Sequence, residues 1–500
     1  MTDIVTGVRS ADIVPEAEQL AWFGHVIGGE EVPSVSGEIF ASVDPFTRRP
    51  WAQVALGAAE DAERAVAAAR AAFDDGPWPR LGAQERRRLL HRFADLIVEH
   101  GEELALADVR DMGKPVAQAL GNDVPRTALN FRFFADHAAL ATSEVYPMDS
   151  GHHAYARFDP AGVVVAIAPW NFPMMLESWK VAPALAWGNT VVLKPAEDTP
   201  ASATILARLA LEAGIPPGVF NVVHGFGPES VGEALTADPA VDRITFTGES
   251  ATGKAIMRAA SANLTPVSLE LGGKGANVVF ADADLDNAVE WSLRAIYTNT
   301  GQVCLAGSRI YVQREIQEEF VARFVAAADA MRVGDPKDPE TQIGPLASGE
   351  HYTKVRGYFD SIAQSGGSLA TGGLGDGWII TPTVVLEPDP DSPHQREEIF
   401  GPIVTITPFD GEEEVVAVVN DSRYGLNAMI FTENLARAHR VSAALEVGTV
   451  WVNCFFIRDL RAPFGGQKQS GVGREGGTFS REFFTEPKAV VMQIHPPVPH

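Results

Sequence analysis

The sequence predicts an α/β protein of two parallel-sheet domains with a crevice between them. Three observations predict it. From about residue 162 onward, short apolar runs alternate with segments of helical period. Those runs are apolar throughout rather than at every second residue, as strands buried on both faces are. The chain has 500 residues, more than one ordinary core accommodates, so two or three domains are expected. Hydrophobic residues make up 46% and charged residues 21%, the balance of a packed globular chain.

Taken in order, residues 1–20 mix Pro, Asp, Glu and Ser without period and read as a loose tail. Helical spacing runs from Ala58 to Phe73 and again from Glu85 to Glu102, with Leu89, Leu90, Phe93, Leu96 and Ile97 inward. A third helix is expected through Arg126 to Leu140. Gly162-Val-Val-Val-Ala-Ile-Ala is the first buried strand, ending at Pro169, and Thr190-Val-Val-Leu-Lys194 is the second. Between the second and third strands, Thr199 reads as an N-cap with Pro200 in the first turn, and Gly214 closes that helix. Val219 to His224 is the third strand, a helix spans about Glu229 to Leu235, and Ile244-Thr-Phe246 is the fourth strand. Gly248 through Gly253 opens a helix, and Val267 to Leu271 is the fifth strand. Strand–helix alternation at this spacing requires parallel crossovers. A second block begins at Asn277-Val-Val-Phe280, continues with a helix over Leu285–Thr298 and a strand over Arg309–Val312, and extends to about Thr478.

Forty basic against 65 acidic residues give a net charge of −25. Such a surface repels phosphate backbones, so a nucleic-acid partner is not expected. No apolar run reaches the ~18–20 residues that span a bilayer, and the first residues lack the pattern of a secretory signal. A cytoplasmic location without a membrane partner is the expectation. Cys304 and Cys454 are the two cysteines, too few for a disulfide framework or a zinc cluster, so no metal is expected.

In an open parallel sheet, ligands bind beyond the carboxyl ends of the strands. There the first strand ends in Pro169-Trp-Asn-Phe-Pro173, without the G-x-G-x-x-G of many dinucleotide folds. The second ends in Lys194-Pro-Ala-Glu197, an acid where such folds bind the adenosine ribose, beside a cation. Alone, that pair reads as a solvated loop. Phe246-Thr-Gly248-Glu-Ser250 opens a helix whose free N–H groups and positive end suit a pyrophosphate. Gly225-Phe-Gly227 is a lesser candidate, since such pairs are usually turns. Convergence of these loops on one sheet edge favours a Rossmann-type dinucleotide site.

Glu270, in Leu269-Glu-Leu-Gly-Gly-Lys274, ends a buried strand at a glycine turn. It is either paired structurally or kept as a general base of raised pKa. Cys304 lies in a loop of small and polar residues, Asn299-Thr-Gly-Gln-Val-Cys304, which shifts its reading from a core thiol toward a nucleophile. Asn171 is either a turn residue or a donor to an oxyanion.

These segments, with Glu397-Glu-Ile-Phe-Gly-Pro402 and Pro463-Phe-Gly-Gly466, occur in an order that resembles the aldehyde dehydrogenase superfamily from about residue 25 to the end. The resemblance implies that Cys304 attacks an aldehyde, that Asn171 and the Cys304 N–H meet the oxyanion, and that Glu270 activates water against a thioester. It assigns Trp170, Lys194, Glu197, Gly227, Gly248, Ser250, Leu271, Glu398 and Phe400 to NAD. Glu197 favours NAD, because a carboxylate repels a 2′-phosphate, while NADP stays open. Relatives often carry a small polar residue where this chain has Glu249, whose side chain is therefore expected to turn away from the phosphates.

The same resemblance implies three parts. Residues 21–139 and 159–271 form the NAD-binding domain, residues 272–479 the catalytic domain, and residues 140–158 and 480–500 a small β arm for a homodimer or homotetramer. The apolar Ala489-Val-Val-Met-Gln-Ile494 needs a covering partner. Substrate-tunnel positions fall on Arg126, Phe172, Leu176, Trp179, Val303, Leu305, Arg458 and Phe464. A buried guanidinium needs a partner. Either a substrate carboxylate supplies it, or Arg126 and Arg458 pair internally, for example with Asp123 and Asp459. The string Phe456-Ile-Arg458-Asp-Leu-Arg461 and Gly473-Arg-Glu-Gly-Gly477 resemble the 2-hydroxymuconic and 2-aminomuconic semialdehyde dehydrogenases. Other aldehyde classes, with structural arginines, and a non-catalytic cofactor-binding protein are the alternatives.

Overall fold

Five parallel strands, Val163–Ile167, Thr190–Lys194, Phe220–Val222, Arg243–Thr247 and Val267–Glu270, form the centre of an eight-stranded sheet in the computed structural model. The structure describes residues 20–148 and 151–494. Most of the expected tail (1–19) and the arm residues 149–150 and 495–500 lie outside them. Every residue of the five central strands except Val267 is buried, because a run without polar alternation has no face to give to water. Across the sheet the central strands run fifth, fourth, first, second, third in chain order. The order therefore reverses between Val163–Ile167 and Arg243–Thr247, the topological switch point where an open α/β sheet has its ligand crevice.

The edges of this sheet are antiparallel. Phe220–Val222 meets His25–Ile27, and Val267–Glu270 meets Gly471–Val472. That last pairing brings a strand from within the expected catalytic segment 272–479 back onto the first sheet. A seven-stranded sheet follows, with Ala276–Val279 at its centre between parallel Arg309–Gln313 and Asn427–Phe431. The third sheet pairs Thr485–Gln493 with His152–Pro160, and the latter with Val145–Tyr146, all antiparallel. Val145, Val491 and Ile494 of this arm are exposed apolar residues. Among the described residues no helix is long and apolar enough to cross a membrane.

Several local expectations differ from the structure for physical reasons. The helix expected over Glu85–Glu102 is two helices, Ala83–Glu99 and Gly101–Met112, broken at His100. Gly101 allows close packing there, since a Cβ would stand 2.9 Å from Val124 Cγ1. The helix expected over Arg126–Leu140 is Val124–Ala139, entered through a π-helical turn at Ala119–Asp123. Thr199 is not an N-cap: the helix is Ala201–Glu212, and the Ala201 N–H donates to Asp111 Oδ2 at 2.9 Å. A carboxylate from a distant helix does the capping, which local sequence cannot reveal.

Candidate active site

The carboxyl edge of the first sheet faces the amino edge of the second. Glu270 is the last residue of its strand. The turn after it places Gly272 and Gly273 against the second sheet, where a Cβ on Gly272 would collide with the Glu398 carboxylate and one on Gly273 with the Cys304 carbonyl. Glycine is needed here for close approach, not for flexibility. The Gly273 N–H donates to Glu398 Oε1 at 2.8 Å. Gly465 serves in the same way, because its Cβ would stand 2.6 Å from Glu270 Oε1.

The cysteine loop is held under strain. Asn299 (φ 51°) and Thr300 (φ 57°) are both in the left-handed region. For β-branched Thr300 this is a genuine outlier, and such residues cost about 1–3 kcal/mol each. Hydrogen bonds fix the loop: Asn299 Nδ2 donates to the Asn171 carbonyl at 2.7 Å, and the Ala347 N–H to Gln302 Oε1 at 3.0 Å. Asn171 Nδ2 donates to the Gln302 carbonyl at 2.9 Å, which leaves its second N–H free of that bond. Asn171, Glu270 and Cys304 thus share one site, assembled from the first and fifth strands and this loop.

Burial dominates its electrostatics. Glu270 is buried, neither of its oxygens has a hydrogen-bond partner, and burial, then Glu475, holds its pKa well above the usual carboxylate range. The partly exposed Cys304 thiol is pushed up to about 12 by burial, then by Glu398 and Glu270. Glu475 and Lys180 are functional candidates that the sequence reading missed. Lys180 Nζ donates to Glu475 Oε1 at 3.0 Å and Trp179 Nε1 to Glu475 Oε2 at 2.6 Å, all three residues being buried. A signal existed: Lys180 lies in a helix, Pro173–Ala186, buried along nearly its whole length, and a buried cation demands a partner.

Beside this site, a crevice of about 380 Å³ includes Glu249, Ser250, Lys254, Lys354 and Glu398 in its lining. Ser250 begins the helix Ser250–Ala260, and its Oγ donates to the Gln469 carbonyl at 3.1 Å. A Cβ on Gly248 would collide with the Phe246 ring, and one on Gly253 would stand 2.7 Å from Leu271. Lys194 Nζ lies 3.4 Å from Glu197 Oε2, and a Cβ on Gly227 would meet open space. Trp170 packs on Phe400 and His351 with ring centroids 5.2 and 4.8 Å apart. His351, also missed, lies 2.7 Å from the Phe400 carbonyl through Nε2. Burial lowers its pKa to about 4, so the ring is neutral and its N–H donates. Glu249 lies 3.8 Å from Lys354 across the crevice. Carboxylates for ribose hydroxyls, a helix start and an aromatic wall suit a dinucleotide, so the residues present fit NAD.

Around Cys304, Phe172, Val303, Leu305 and Phe464 are buried in one apolar cluster, with Leu176 and Cys304 packed against it. Trp179 belongs to the neighbouring core. The Arg458 guanidinium lies 4.8 Å and that of Arg126 5.8 Å from the Trp179 ring, and Arg458 also covers Phe464 at 3.7 Å. Neither expected internal pair forms, since Asp459 binds Arg461 and Asp123 binds Lys114.

A dinucleotide-type sheet with a buried acid and a thiol beside it fits a nicotinamide-dependent oxidoreductase. The chain belongs to the aldehyde dehydrogenase family, whose pattern matches residues 32–490. It is 47% identical over 482 residues to a 2-hydroxymuconic semialdehyde dehydrogenase of Pseudomonas sp. (strain CF600), covering 94% of this chain and 99% of that one. To a 2-aminomuconic 6-semialdehyde dehydrogenase of Pseudomonas sp. it is 46% identical over 471 residues, covering 92% and 96%. The crystal structure of PnpE from Pseudomonas sp. WBC-3 is similar with a TM-score of 0.93 and 42% identity, covering 96% and 99%. PnpE has also been solved in complex with nicotinamide adenine dinucleotide.

Proposed function

We propose that this NAD-dependent aldehyde dehydrogenase oxidises a carboxylate-bearing semialdehyde of the muconic type to the dicarboxylate. The observation that carries the substrate class is a pair of guanidinium groups on one indole. Arg458 Nη2 is buried without a hydrogen-bond partner, and among the described residues neither Arg126 nor Arg458 forms an ion pair with a carboxylate. Burial, then Arg126, pushes Arg458 down to about 9. Two cations held together in this way favour a bidentate anion. The names of the muconic semialdehyde relatives support the same reading.

In this reading the aldehyde carbon lies at Cys304 and the chain of the substrate lies along Phe172, Val303, Leu305 and Phe464, with Arg126 and Arg458 at its far end. The Cys304 thiol gives up its proton to solvent and Sγ bonds to the aldehyde carbon, the C=O electron pair passing to the oxygen; the thiohemiacetal oxyanion takes the second N–H of Asn171 and the Cys304 backbone N–H. Trp170, Lys194, Glu197, Gly227, Gly248, Ser250, Leu271, Glu398 and Phe400 would hold NAD. The chemistry NAD supplies when bound is acceptance of a hydride. Glu270, as general base, draws a proton from the water that hydrolyses the Cys304 thioester. Its raised pKa makes it a better base than an exposed carboxylate, and its ionised fraction rises with pH through that raised value. The exposed apolar arm is proposed to pair with a second copy in a homodimer or homotetramer.

Mass spectrometry of Glu270→Gln, quenched after mixing with NAD and substrate, tests the assignment. An acyl adduct on the Cys304 peptide is expected. An adduct-free Cys304 with undiminished turnover would contradict it.

A further inference from the structure

Arg126 is held from behind by a residue that the proposed chemistry does not use. Asn130, one helical turn along Val124–Ala139 and almost fully buried, accepts a hydrogen bond from Arg126 Nε on its Oδ1 at 3.1 Å. Its Nδ2 donates to the Met175 carbonyl at 3.3 Å and to Ser178 Oγ at 3.0 Å. Ser178 Oγ donates in turn to the Met175 carbonyl at 2.8 Å, so it can receive the Asn130 N–H only as an acceptor. These partners fix which way the amide points. Reversing it would set an oxygen against the Met175 carbonyl and an N–H against the Arg126 N–H, two repulsive contacts in a buried place.

With Nε bound to Asn130, Arg126 keeps its two Nη groups for another partner. The Trp179 ring takes both the Arg126 and the Arg458 contacts, and Trp179 is itself tethered through Nε1 to Glu475. A long side chain with several rotatable bonds loses rotamer freedom when it binds, and one already held in place loses less.

We propose that Asn130 is a positioning residue that selects carboxylate-bearing aldehydes by presenting the Nη edge of Arg126 to the substrate's distal carboxylate. The inference rests on the proposed function and adds the residue that sets its selectivity. Asn130 touches neither the aldehyde nor Cys304, so its loss is felt through Arg126.

The test compares kcat/KM for a six-carbon semialdehyde carrying a terminal carboxylate with kcat/KM for hexanal, together with inhibition by adipate. Asn130→Ala is expected to lower the preference for the carboxylated aldehyde about tenfold and to raise the adipate inhibition constant by a similar factor, with hexanal nearly unchanged. Asn130→Ser, which keeps a small polar side chain too short to reach the Arg126 Nε–H, is expected to cost as much selectivity, so it serves if the alanine variant does not fold. Equal losses on both aldehydes would mean a merely structural role and overturn the inference, as would unchanged selectivity in both variants. If Arg126→Ala and Arg458→Ala also leave selectivity unchanged, the substrate class itself fails. If they abolish it while the Asn130 variants do not, only the positioning role fails.

Discussion

The two ends of the substrate site are built on opposite principles. Around Glu270 and Cys304 the backbone is forced: glycines admit neighbouring atoms, Asn299 and Thr300 take left-handed conformations, and two acids and a thiol share a pocket that disfavours their charged forms. Around Arg126 and Arg458, where Phe456 (φ 65°) is also left-handed, the work is done by long side chains laid on Trp179. The first end holds reacting atoms unpartnered. The second holds two cations on one indole, neither in an ion pair with a carboxylate among the described residues. One sets what reaction occurs, the other which aldehyde undergoes it, and Glu475 touches both through Trp179 and its effect on Glu270.

If that division is right, substitutions at the two ends fail differently. Cys304→Ala is expected to abolish aldehyde oxidation for every substrate, read as loss of NADH formation, with the fold kept by circular dichroism. Residual turnover well above background would break the assignment of the nucleophile. Glu270→Gln is expected to lower steady-state turnover by about 10²–10⁴-fold for all aldehydes. A rapid burst of NADH should remain in stopped-flow traces, because thioester hydrolysis is the step impaired; equal loss of burst and steady state would place Glu270 earlier in the reaction. A further expectation concerns pH. With its pKa raised to about 12, the Cys304 thiol is protonated at neutral pH in the cofactor-free enzyme. Its thiolate fraction, and so its alkylation by iodoacetamide, should rise about tenfold per pH unit between pH 7 and 10. A plateau below pH 8 would show a thiolate stabilised by something the pocket does not contain.

The first end was the more legible in the sequence. A carboxylate ending an apolar run at a double glycine, and a cysteine between small polar residues, are local signals that strand and loop geometry then explain. The parallel sheet was equally legible, because its strands are uninterrupted apolar runs. What the sequence could not supply were partners far apart in the chain: Asp111 capping the helix at Ala201, Glu475 under Lys180 and Trp179, and His351 behind Phe400. The arginines were visible as oddities in an apolar tunnel. Whether they paired internally was undecidable until Asp123 and Asp459 proved to be engaged elsewhere.

The central claim is that Arg126 and Arg458 recognise a carboxylate while Cys304 performs the oxidation. The most direct test is NADH formation by the wild type, Arg126→Ala and Arg458→Ala on a carboxylated muconic-type semialdehyde and on a neutral aldehyde of equal length. The wild type is expected to prefer the carboxylated aldehyde. Each arginine variant should lose about 10–100-fold of kcat/KM on it alone, as expected for removal of a charged hydrogen-bond donor. A wild type that prefers the neutral aldehyde, with variants indifferent to the carboxylate, would contradict the account.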